Sequence, residues 1–195
     1  WIEVNPLETE VIREFREIGS QRCYIVRHPE TYTFYEDYKK FGLKNLRFYA
    51  GFPEHSLEII KKLIDLGFGA KDLIRFEQEE IRPVDAVSRI LTRLPRPANY
   101  TEKENLWVEV SGKDKEKNIK LGKMECIVST LPDWTDAGCN VDTGLPASIM
   151  AQMIKDGRGS ERGSFTPDAV IPTTDFFSEM KKRGMTVSQD GVAIN

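Results

Sequence analysis

Cysteine, histidine and long apolar runs are all scarce in this 195-residue chain. The three cysteines, Cys23, Cys126 and Cys139, stand far apart and form no C-x-x-C pair. That spacing speaks against a zinc ribbon or a thioredoxin-type redox site. Scattered thiols in odd number fit a reducing compartment, so a cytoplasmic protein is the expectation. The two histidines, His28 and His55, do not complete a common metal site, and no helix carries H-E-x-x-H. No apolar stretch is long enough to cross a bilayer. No charged start followed by an apolar run marks a signal peptide. The net charge is only −3, which gives no support to nucleic acid or an anionic membrane as partner.

Nucleotide and nucleophile signatures are missing too. The segment 157–163 reads G-x-G-x-x-x-G, not G-x-G-x-x-G. It follows a helical pattern, whereas a dinucleotide loop follows a strand and opens a helix. The segment reads as a helix-terminating loop. No Walker A run and no G-x-S-x-G elbow occur, so a small hydrolase has little behind it.

What is present describes an ordinary globular chain: 39% hydrophobic and 30% charged residues. Its length fits one large domain able to bury a core without disulfides. Pro6 and the apolar positions Leu7, Val11, Ile12 and Phe15 suggest a helix closed by Gly19. Residues 21–27 read as a strand stopped by Pro29. A helix is expected over 31–41, capped by Gly42, then a strand over 45–50. Pro53 starts a helix with Leu57, Ile60, Leu63 and Ile64 on one face, closed by Gly67. Another runs from Arg82 to Leu94, and the two prolines of 95–101 mark a connection. Residues 105–112 and 119–130 suggest a hairpin around a solvated lysine-rich turn. Helices are expected from Thr143 to about Gly157 and over 174–183, with a closing strand at 185–188. Elements mix without strict alternation, so the fold class is α+β, a mixed β-sheet with helices packed against it.

Two arginines are candidate ligand groups. Arg27 ends the first strand and Arg47 is placed in the second; strand ends beside loops commonly carry binding residues. Guanidinium forks grip carboxylates at two points. The alternative is that each pairs with a structural Glu or Asp, or faces water. His28 and His55 have the intrinsic pKa of a general base, although a structural role fits them as well. The helix opening at Thr143-Gly144-Leu145-Pro146 has free N–H groups able to hold an anion, or Thr143 is simply its cap.

Together these segments resemble the C-terminal domain of saccharopine dehydrogenases and relatives such as carboxynorspermidine and lysine dehydrogenases. The run from Thr143-Gly144-Leu145-Pro146-Ala147 through Ala151 to Gly157 is similar to the family's T-G-x-P-A-x-x-x-A run ending in glycine. Gly163 to Asp168 resembles a Gly-x-x-x-Pro-Glu segment, here with Asp168 in place of Glu. Phe176 to Gly184 resembles the family's terminal helix. Near the front, Arg27-His28-Pro29 and Leu46-Arg47-Phe48-Tyr49-Ala50-Gly51-Phe52 are similar to an R-x-P segment followed by L-R-Y and G-F/Y; residues 69–104 match poorly.

The resemblance implies a substrate-binding and dimerisation domain spanning 1–195, a fragment of a longer enzyme whose N-terminal Rossmann domain holds NAD or NADP. Trp1 in place of a starting Met agrees with that. It implies oxidation or reduction at the C–N bond of a carboxylate-bearing, amino-acid-like amine, as in lysine metabolism, with a homodimer as the assembly. Substrate contacts are then expected at Arg47, Arg27, His28, Thr143 and Gly144, with no metal and no catalytic acid or base assigned. A fragment without its cofactor domain should be inactive alone. A non-catalytic interaction module of the same fold is the alternative.

Overall fold

The computed structural model describes residues 1–5, 7–95, 101–134, 141–159 and 161–195. The chain divides into two compact units, Trp1–Pro97 and Ala98–Asn195. The α+β class holds. The strands gather into three sheets, and every ladder among the described residues is antiparallel.

In the first unit, β1 (Glu10–Phe15), β2 (Gly19–Ile25) and β3 (Tyr49–Gly51) form one sheet in that order. The helix expected over Leu7–Phe15 is therefore a strand. Its periodicity was ambiguous: Val11 and Phe15 sit on a helical stripe, yet branched Val11 and Ile12 suit a strand equally. A tight turn decides it, with Glu17 at φ 66 and Gly19 at φ 88 folding β1 back onto β2. The second expected strand is also shorter than 45–50, so Arg47 precedes β3 rather than lying within it.

Helix α1 (Pro29–Tyr38) follows β2 and runs into a 3-10 turn, Lys39–Phe41. Gly42 ends it at φ 87, in the left-handed region that glycine adopts without Cβ strain. Helix α2 (Glu54–Asp65) and helix α3 (Pro83–Leu91) lie where their periodicity places them. The short hairpin between them, β4 (Ile74–Phe76) and β5 (Glu79–Ile81), was not expected. Among the described residues of this unit only Cys23, Tyr24, Leu57 and Pro83 are buried. The apolar faces of α2 and α3 stay largely open at Ile60, Ile64, Ile90 and Leu91. Tyr24 is closed off completely; its hydroxyl donates to Glu10 at 2.5 Å and accepts from Lys61 at 3.0 Å.

The second unit is built on β6 (Lys103–Lys113), β7 (Ile119–Ser129), β8 (Thr186–Gln189) and β9 (Val192–Ala193), paired in that order. Between β6 and β7 the Asp114 carboxylate accepts the N–H groups of Glu116 and Asn118, so the lysine-rich stretch is a self-bonded turn as expected. Helix α4 (Val141–Lys155), the short α5 (Pro167–Val170) and α6 (Thr173–Lys182) complete the unit. Ile149 and Met153 of α4 are fully buried. They form one core with Cys126 and Val128 of β7, Val187 of β8, Met180 and Met185. Residues 96–100, most of the expected connection, and Cys139 lie outside the described residues.

The glycine-rich stretch ends α4, with Gly157 at φ 73. Arg158 beyond it ties back to α6 through Glu179 at 3.2 Å. Glu179 also accepts from Lys182 at 2.8 Å and Arg183 at 2.7 Å. Lys182 first, then Arg183 and Arg158, hold its carboxyl at about 2, down from the usual 4.5. A carboxylate held low contributes stability above its ordinary pKa and loses it as pH falls through the folded value. Thermal melts of Glu179→Gln should thus show a lower Tm at pH 7 and a flatter decline between pH 4.5 and about 2. Parallel Tm curves for the two proteins over that window would show that Glu179 does not carry the acid limb.

Candidate functional site

The β2–β3 ladder pairs Cys23 with Gly51, Tyr24 with Ala50 and Ile25 with Tyr49. It runs one rung further, since the Val26 N–H donates to the Phe48 carbonyl at 3.1 Å. The same register sets Arg27 across from Arg47. Like charges at facing positions of a ladder repel. Among the described residues no carboxylate pairs with either guanidinium, and both side chains are exposed. Pairing with a structural acid is thus not seen among the described residues, whereas both side chains face solvent, as the other alternative has it. An anion between the two forks would relieve the repulsion and satisfy both.

His28 adjoins this pair. It is the extended residue that precedes α1, at φ −132 and ψ 143. Its carbonyl accepts the Thr31 N–H at 3.0 Å and the Thr31 hydroxyl at 2.6 Å, which fixes the helix start. The imidazole stacks on Phe48, centroids 4.0 Å apart and 7° from parallel. Its Nδ1 faces the Glu30 carboxylate. The ring is thus held between Phe48 and Glu30. Three of the five expected residues, Arg27, His28 and Arg47, therefore lie together at one end of one sheet.

Thr143 and Gly144 belong to the second unit. Helix α4 already includes Val141 and Asp142, so Thr143 lies inside the helix rather than capping it. Its hydroxyl donates to Asp142 at 3.3 Å. Both residues are exposed. His55 sits in the first turn of α2, exposed.

Sequence reasoning missed a cluster on the second sheet. Trp107 faces Glu125 directly across β6 and β7. Lys123 lies 3.9 Å from the Trp107 ring centroid and 3.0 Å from the Glu125 carboxylate. Asn105 donates to the same carboxylate at 3.2 Å. Finding it from sequence needed the hairpin register, which depends on how residues 114–118 close the turn.

The family model of the saccharopine dehydrogenase C-terminal domain matches residues 2–185. The chain belongs to that family. Carboxyaminopropylagmatine dehydrogenase of Synechocystis sp. is 22% identical over 191 residues, covering 95% of this chain and 46% of the relative. The chain spans about half the length of that curated relative, and the two findings together place it in an oxidoreductase family. The resemblance read from the 143–157 run and the front arginine segments is borne out.

Such a family implies a nicotinamide dinucleotide, and the described residues do not fit one. A dinucleotide loop needs parallel strands joined through a helix. Every described ladder is antiparallel. The 157–163 glycines end a helix instead of opening one. Among the described residues no His/Cys/Asp/Glu group could hold a metal ion, and no helix is long and apolar enough to cross a membrane.

Proposed function

We propose that this chain is the substrate-gripping part of an NAD(P)-dependent oxidoreductase that acts on the C–N bond of a carboxylate-bearing amine. The dinucleotide is held by a separate Rossmann domain of the same enzyme, for which the open apolar faces of α2 and α3 offer a packing surface. The observation that carries the reading is the in-register pair Arg27 and Arg47 with no acidic partner among the described residues. Two guanidinium forks at one ladder end take a substrate carboxylate, and His28, clamped on Phe48, stands beside it. The relative's name describes a carboxylated amine, which agrees with that chemistry.

Steady-state kinetics of the full-length enzyme test this. Arg47→Ala should raise KM for a carboxylated amine about tenfold or more with a smaller change in kcat, as expected for losing one charge-assisted hydrogen-bonding group. Arg47→Lys should recover only part, because an ammonium lacks the fork. Unchanged KM in a folded Arg47→Ala protein removes Arg47 from the site.

The same reading includes a homodimer. Leu106, Val108 and Val110 of β6 share the sheet face of Cys126 and Met124 by register, yet they are 45%, 54% and 64% exposed. An uncovered apolar strip of this kind suits a second copy. Sedimentation of Val108→Lys should show dimer dissociation strengthened about tenfold or more, since a charge would be buried without a partner. A variant that sediments like the parent protein counts against this face.

A further inference from the structure

Side chains alternate along β7. Met124, Cys126 and Val128 turn to the core under α4 and α6. Lys123 and Glu125 therefore project from the other face, with Asn105 and Trp107 of β6. Glu125 is only 5% exposed. A carboxylate so far from water needs a cation. In this structure the cation is Lys123, with its ammonium over the Trp107 ring at 3.9 Å and against Glu125 at 3.0 Å.

An indole face beside a desolvated carboxylate is the chemistry that recognises an organic cation. Lysine is itself a primary alkylammonium on a flexible four-carbon stem. The backbone of Lys123 is pinned independently of that head group. Its N–H donates to the Asp190 carboxylate at 3.0 Å, and its carbonyl accepts the Asp190 N–H at 2.9 Å. The side chain can leave without shifting the strand. We propose that Trp107 and Glu125, with Asn105 orienting the carboxylate, form a binding site for a primary alkylammonium group, and that Lys123 occupies it until a ligand amine displaces it. For its biological role this rests on the amine reading above, in which the enzyme handles an organic amine. Its binding test stands apart from that reading.

The test uses putrescine as probe, titrated into the chain and read at the indole N–H resonance of Trp107, assigned by comparison with W107F. A site self-occupied nine-tenths of the time has its apparent affinity reduced about tenfold. Lys123→Ala should therefore bind putrescine about tenfold more tightly than the parent protein. Adding Glu125→Gln should return binding to the parent level or below. Lys123→Thr also clears the ring face while suiting a strand, and should behave as Lys123→Ala if that variant fails to fold. Equal affinity in the parent and both Lys123 variants would overturn the proposal, as would a K123A/E125Q protein that binds as tightly as K123A. Glutarate titrated into the same samples reports on the arginine pair. Loss of glutarate binding with the putrescine response intact counts against the carboxylate reading alone.

Discussion

Truncating Ile149 to alanine should destabilise the second unit by about 2–5 kcal/mol, the range for deleting a fully buried aliphatic side chain. Ile149 has no exposed surface and sits where α4 meets the sheet and α6. Its surroundings are Cys126, Val128 and Val187 on strands tied by ladder bonds, with Met180 on a helix. Such neighbours collapse poorly into a void, so the cavity cost adds to the transfer cost. Met153, one turn further and equally buried, could move to fill part of the gap, which favours the lower half of the range. Ile154→Ala is the matched control. Its side chain is 61% exposed, and surface replacements of this kind cost within about 0.5 kcal/mol. Urea unfolding followed by hydrogen exchange at β7 and α4 amides isolates this unit from the other. Equal losses for the two variants would mean that the α4 core is not what holds the unit together.

Much of that core was legible in advance. Leu145, Ile149 and Met153 recur four residues apart, a spacing that marks one buried face of α4, whereas Ile154, on the wider apolar face that suggests cover on more than one side, is 61% exposed; the β6–β7 hairpin is signalled by two strand-like runs around a polar turn. Helices α1, α2, α3 and α6 are found where proline, glycine and charge place their ends. The failure at Glu10–Phe15 has a physical cause. Six residues with two branched side chains satisfy either period, and the deciding contact is the pairing with Gly19–Ile25. Likewise β4 and β5 carry only three residues each, too few to show a period.

Of the site, residue types were legible and partnerships were not. Arg27 and Arg47 were noted separately. Their facing positions follow from a register set by the Cys23–Gly51 pairing, some distance along the chain. Trp107 and Glu125 were read only as strand residues because alternation alone does not say which rung meets which. In both cases the chemistry arises from two strands brought into register. Residues 24 and 50 must pair before two arginines face each other, and residues 107 and 125 before an indole faces a carboxylate.

Asn195 should matter more than its exposed surroundings suggest: replacing it by alanine is expected to cost about 2–4 kcal/mol. Its side-chain oxygen accepts the Val187 N–H at 3.0 Å, and its amide donates to the carbonyls of Phe177 at 3.0 Å and Met185 at 3.1 Å. Val187 lies one rung beyond the last β8–β9 pair, and its carbonyl accepts the Ile194 N–H at 3.0 Å. The Asn195 amide thus continues that edge as a strand would, while holding α6 to β8. Removing it orphans a backbone donor beside a buried side chain, about 1–3 kcal/mol, and deletes two further bonds of about 0.5–1.5 kcal/mol each. Relaxation and water recover part of the sum. Asn195→Asp separates hydrogen bonding from packing. It keeps the acceptor for Val187 but sets a carboxylate against two carbonyls, so at pH 7 it should be no more stable than alanine. Urea midpoints decide the matter: an aspartate variant as stable as the parent protein would mean that the two donated bonds contribute nothing.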